Sequence, residues 1–140
     1  DAKITIVGPV GTPEDLNNAS VVMKVVYGKN SFLFTGDAEE KSEKKILANG
    51  ADIKADVLKL GHHGSSTSTS EEFLKVVSPS LALISCGKDN DYGHPHKETI
   101  EKLEKYNIPY ERTDIKGTIV VGSDGEHLST AFPDNKTAEK

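Results

Sequence analysis

Strand–helix–strand alternation through the middle of the chain, with a hairpin on either side, predicts an α/β domain built on a mixed-sheet layer. Three observations carry that reading. Two short apolar bursts, Phe32–Phe34 and Ala55–Leu60, are closed by glycine, at Gly36 and at Gly61. The segment between them, Asp37 to Asn49, has the charge order of a helix. A third run, Leu81-Ala82-Leu83-Ile84-Ser85, is nearly continuous in apolar residues and reads as a strand buried on both faces.

Taken in order, Lys3 to Gly8 alternates as a strand does, and Gly8-Pro9-Val10-Gly11-Thr12-Pro13 is punctuated as a loop. A polar stretch, Glu14 to Ser20, leads into the strand Val21–Tyr27. The short link Gly28-Lys29-Asn30 then turns it back antiparallel into Ser31–Thr35. In the helix Asp37–Asn49, Glu39, Glu40 and Glu43 load the first half and Lys44 and Lys45 the second, until Gly50 ends it. The strand Asp56–Leu60 comes next, then a Ser/Thr loop. Ser70 is placed to cap a helix over Glu71–Val77, and Pro79 blocks its continuation. After the Leu81–Ser85 strand, the loop Gly87–His96 precedes a helix over about Lys97–Tyr106, with Ile100, Leu103 and Tyr106 on one face. Pro109–Thr113, Thr118–Gly122 and Glu126–Thr130 are short closing strands, the last two joined by a turn at Ser123-Asp124-Gly125.

The 140 residues and 35% hydrophobic content suit one domain with a real core, assigned to 1–132, with a polar tail over 133–140. No apolar run approaches the roughly 20 residues of a membrane span. A net charge of −5 supplies no basic stripe for the phosphate backbone, which argues against a dedicated nucleic-acid binder while leaving nucleic acid open as a substrate held through metal. The single cysteine, Cys86, excludes an intrachain disulfide and reads as a small core hydrophobe. The opening Asp1-Ala2-Lys3, without Met or an apolar leader, is expected of a piece cut from something longer.

Chemistry-bearing residues collect at the ends of strands, where open α/β sheets place their sites. Asp37 ends the first burst; alone it reads as a helix N-cap, and beside the histidine pair of the second burst it reads as a hard metal ligand. That pair is His62 and His63. On an extended strand, adjacent side chains point to opposite faces, so one is expected to ligate and the other to meet substrate or a second metal. His94-Pro95-His96 comes after the third strand, at a helix start that favours an anion; His94 is a candidate proton donor and His96 a substrate contact, unless Pro95 and His96 merely begin the helix. Ser65 and Ser66 lack a nucleophile elbow and read as loop hydroxyls that bind an oxyanion or steady a ligand. His127 has no assigned role.

Phe32 to Glu39 with its Thr-Gly-Asp, Ala55 to Ser65 with its His-His-Gly-Ser, and Ile84–Gly87 through Tyr92–His96 with its Gly-His-Pro together resemble the metallo-β-lactamase-fold hydrolases. The nearest branch is similar to the C-terminal domain of the ComEC-type DNA-uptake competence proteins and their free-standing relatives. The resemblance runs from about Lys3 to Leu128 and implies one half, the second, of an αββα sandwich whose active site lies at the edge shared by both halves. It implies Asp37 as a carboxylate bridging two divalent metals, zinc or manganese, His63 as the late histidine ligand, His62 as a substrate contact, and His94 at the same mouth.

The first-half signature His-x-His-x-Asp-His is absent, since no histidine precedes His62. The histidine that many members place before the Thr-Gly-Asp strand is missing too, with Asn17, Asn18 and Ser20 in that region. The resemblance therefore implies a partial site that binds metal weakly or not at all by itself and is inactive alone. It implies a parent hydrolase of phosphodiesters, DNA first among them, with the missing N-terminal half as partner. The alternatives are a non-catalytic α/β interaction module and a hydrolase of small phosphoesters such as phosphorylcholine esters. Exposed half-domain surface is expected to drive self-association. By resemblance, the location is the cell envelope or outside the cell.

Overall fold

In a computed structural model that describes residues 1–135, the chain forms a mixed six-stranded sheet with helices, a mixed α/β fold of the kind expected. The strands β1 (Lys3–Gly8), β2 (Val22–Tyr27), β3 (Asn30–Phe34), β4 (Val57–Lys59), β5 (Leu81–Ile84) and β6 (Tyr110–Arg112) lie side by side in chain order. β1, β2 and β3 pair antiparallel, and β3 through β6 pair parallel. Helices α1 (Glu40–Ala48), α2 (Glu71–Val77) and α3 (Lys97–Lys105) supply the crossovers between the parallel strands, and α4 (Thr113–Lys116) is a single turn that the sequence reading lacks. Strands β7 (Val120–Ser123) and β8 (Leu128–Ala131) form the closing hairpin as a separate two-stranded sheet. Among the described residues no helix is long and apolar enough to cross a membrane.

One core unites the sheet with three helices. Val22, Leu33, Leu58, Leu60, Ala82 and Ile84 from the strands meet Ile46 of α1, Phe73, Leu74 and Val77 of α2, and Leu103 of α3, all buried. Period-two alternation puts the next residue of each strand on the opposite face. Strand register aligns Ile4, Val25, Phe32, Val57 and Leu81 there, and beside them Ile6, Met23, Phe34, Lys59 and Leu83. Among the described residues, α1, α2 and α3 pack on the core face, and on the opposite face Ile119 and Val121 approach Phe32, Phe34 and Leu83 across a groove of about 210 Å³. The expectation that β5 is buried on both faces is corrected accordingly. Ala82 and Ile84 are buried, while Leu81 and Leu83 are half-buried.

The hairpin tip is tied to the β2–β3 turn. Ser123 Oγ donates to Asn30 Oδ1 at 2.6 Å, and the Lys29 N–H donates to the Gly125 carbonyl at 2.6 Å. Of the polar tail, Pro133–Asn135 forms a 3-10 turn, and 136–140 lie outside the described residues.

Candidate metal-edge site

The histidines and Asp37 do converge beyond the C-terminal ends of β3, β4 and β5. Helix α1 starts at Glu40 rather than Asp37, and its N-cap position, Glu39, makes no side-chain capping bond. Asp37 is therefore no cap. Its N–H donates to Ser20 Oγ at 3.1 Å, while Asn18 Oδ1 accepts the N–H groups of Glu39 and Ser42 at 3.1 and 3.2 Å. Asn18 is buried and is itself held by both oxygens of Asp15. A bracket from distant sequence thus satisfies the donors that a helix N-terminus would otherwise present, and it frees the Asp37 carboxylate.

His62 and His63 do not lie on an extended strand. β4 ends at Lys59, and both histidines take left-handed backbone angles, φ 50° and φ 56°, in the tight turn Gly61–Gly64. This corrects the opposite-faces expectation: His62 Nδ1 comes 3.5 Å from Glu39 Oε2, and His63 Nε2 comes 3.5 Å from Asp37 Oδ1, so both rings address the same loop. The flanking glycines explain how the turn fits. A Cβ at Gly61 would sit 2.7 Å from the Ala38 carbonyl oxygen, and one at Gly64 2.7 Å from Pro95 Cβ. Glycine at both ends lets the histidine turn press against the Asp37 loop on one side and the His94 loop on the other. The His62 N–H to Gly36 carbonyl bond, 2.9 Å, and the His96 N–H to Gly64 carbonyl bond, 3.0 Å, close those contacts.

Hydrogen bonds fix the imidazole tautomers. The Ser85 carbonyl, 2.7 Å from His63 Nδ1, can only accept, so Nδ1 carries the proton and the Nε2 of a neutral ring faces Asp37 with a lone pair. The Ser66 N–H donates to His96 Nδ1 at 2.9 Å, which leaves His96 Nε2 to donate to the Tyr92 carbonyl at 3.2 Å. His96 is spent on bracing its loop.

His94 packs between the others, its ring centroid 5.6 Å from His62, 6.1 Å from His63 and 4.8 Å from His96. Burial, then the neighbouring imidazoles, hold its pKa below the ordinary 6.5, so at neutral pH the ring is neutral. Beside it His63, Cys86, Asn90, Tyr92 and His94 line a recess of about 170 Å³. Burial raises the pKa of the half-buried Cys86 thiol above its ordinary value, in keeping with a packing role. Ser66 is exposed and touches His96, whereas Ser65 is buried and bonded within its own turn to Thr67, away from the mouth.

Two features fit a divalent cation. His63 Nε2 and a carboxylate oxygen of Asp37 face each other at 3.5 Å, and the buried His62 Nδ1 has no hydrogen-bond partner, its 3.5 Å approach to Glu39 failing as a bond. The number of ligands does not suffice. Among the described residues no group of three or more His, Cys, Asp or Glu converges as a metal-binding set, so the residues present make one edge of a site. Glu39 was missed in the sequence because its place before a helix reads equally well as a dipole partner.

A family model described as Metallo-beta-lactamase superfamily matches residues 4–88. ComE operon protein 3 of Bacillus subtilis is 45% identical over 107 residues, which is 76% of this chain and 14% of that protein. Recombination protein 2 of Haemophilus influenzae is 47% identical over 105 residues, 75% of this chain and 13% of that protein. Competence protein ComA of Neisseria gonorrhoeae is 39% identical over 109 residues, 77% and 16%. The chain thus spans 13% to 16% of the length of these relatives.

Proposed function

The chain belongs to the metallo-β-lactamase superfamily, and on that premise we propose that it is the second half of a metal-dependent phosphodiesterase domain acting on DNA in competence-type uptake. The observation that carries the reading is the approach of His63 Nε2 to Asp37 Oδ1, with His62 and His94 on the same mouth. Asp37 and His63 are the residues that would hold metal. When bound, a pair of zinc or manganese ions supplies Lewis-acid stabilisation of a phosphoryl oxygen and an activated water. His62 and neutral His94 offer N–H groups to the substrate, and His94 in this state accepts a proton rather than giving one. A preceding first half would add the remaining ligands and cover the sheet face opposite the core.

Melting with and without Zn²⁺ or Mn²⁺ tests the metal edge, because binding to the native state alone raises the melting temperature by mass action. With so few ligands a small shift or none is expected, and stabilisation of wild type that is lost in Asp37→Ala and in His63→Ala would mark these two residues as a partial site. No metal shift in wild type removes metal binding from this chain. Nuclease assay of a protein that carries the first half tests the activity, and its inactivity with metal bound rejects the phosphodiesterase. The second reading, a non-catalytic interaction module, is favoured by one observation, the apolar sheet face opposite the core.

A further inference from the structure

Lys59 stands between apolar residues in the cross-strand row Ile6, Met23, Phe34, Lys59, Leu83, which ends at Glu111 of β6, on the face opposite the helix-covered core. Its stem lies in the groove formed by Phe32, Phe34, Val57, Leu83, Ile119 and Val121, and its ammonium reaches the strand end to donate to the Leu60 carbonyl at 2.7 Å. Among the described residues no carboxylate comes within 4.0 Å of that ammonium. The strongest negative charge acting on it is Asp37, from farther away, and burial outweighs that attraction to lower its pKa. A half-buried cation with one acceptor for three N–H groups is costly to keep. It is also the last residue of β4, separated by Leu60 alone from the Gly61–Gly64 turn that carries His62 and His63.

We propose that Lys59 is an anion-binding residue of the site, carried along the apolar groove to the histidine edge, where its ammonium takes a non-bridging phosphate oxygen of a phosphodiester held beside Asp37 and His63. The proposal rests on the phosphodiester reading of the site. It adds a binding residue for the backbone that works without metal.

The test is binding of a fluorescent single-stranded thymidine oligonucleotide of about ten nucleotides, in EDTA, beside the same strand with a neutral methylphosphonate backbone. Wild type is expected to prefer the phosphodiester strand. Lys59→Met is expected to weaken that strand about tenfold, to leave the methylphosphonate unchanged, and to melt about 2–4 °C higher because an unpaired charge has left the groove. Lys59→Arg is expected to restore the preference. Equal binding of both strands by wild type overturns the proposal, as does a Lys59→Met loss that is the same on both. A lower melting point in Lys59→Met overturns it as well, since that would make the ammonium's bond to the Leu60 carbonyl a structural one. Absence of hydrolysis by a protein with the first half, with the backbone preference intact, rejects the phosphodiesterase alone.

Discussion

The two faces of the six-stranded sheet both carry apolar rows and differ in what covers them. On one, three helices bury Leu33, Leu58, Ala82 and Ile84 to 1% exposure or less. On the other, Ile4 and Ile6 remain 61% and 60% exposed on the edge strand β1 and Phe34 is 37% exposed, while Val57, in the groove beside the closing hairpin, is 1% exposed. Most of the buried core therefore lies on one face of the sheet. The helix face holds the fold; the other is suited to receive something.

Mutations that separate the faces make this comparison quantitative. The largest effect is expected at Phe73, buried under α2: Phe73→Ala should cost about 3–5 kcal/mol, read by urea denaturation, and a cost near that of a surface change would mean the helix layer is loosely packed. Next is Glu43, buried in α1, whose carboxylate accepts the Thr69 and Ser70 N–H groups at 2.6 and 2.8 Å. Glu43→Ala orphans both and should cost about 2–3 kcal/mol.

Glu43 also makes the helix face sensitive to pH. Burial raises its pKa above the ordinary 4.5 despite those bonds. The folded state then binds this proton more tightly than the unfolded one, so the stability it contributes is full below pH 4.5 and is lost as pH rises through the folded value. Glu43→Gln should flatten that part of the stability curve above pH 4.5, measured by denaturation at stepped pH; an unchanged slope would assign it elsewhere. Ser70→Ala, which removes the cap on the Phe73 N–H, should cost about 1 kcal/mol by the same measurement.

The smallest change in stability is expected on the other face. Ile4→Ser with Ile6→Ser should shift unfolding by no more than about 0.5 kcal/mol each while reducing concentration-dependent self-association in sedimentation. A wild-type chain that stays monomeric at high concentration would end the association argument.

Most elements were legible because punctuation and periodicity are local. Gly50, Ser70 and Pro79 mark their helix boundaries unaided, and the short link after Tyr27 forms its hairpin. What stayed hidden depends on distant residues. Asp37 reads as a cap until Ser20 and Asn18 take the N–H groups that a cap would serve, across separations of 17 to 24 residues. Histidine carries little signal for a left-handed turn, so the pair read as extended. An apolar run such as Leu81–Ile84 reports that both faces can be buried, not that both are. Lys59 was hidden inside its strand, and Glu39 behind the helix charge pattern. The convergence of Asp37 with His62 and His63 was foreseeable from strand ends, and that of His94 from the family resemblance; which ring meets which carboxylate was not.

The turn Gly61–Gly64 bears on any attempt to engineer this protein. Two successive left-handed histidines each cost about 1 kcal/mol against glycine in the same conformation. A library sorted only for resistance to heat or protease should therefore enrich glycine at both positions, discarding the chemistry while improving the fold. Sorting the same library on retained metal or backbone binding would draw the histidines back, and the divergence between the two selections would measure what this chain forgoes in stability to keep its site.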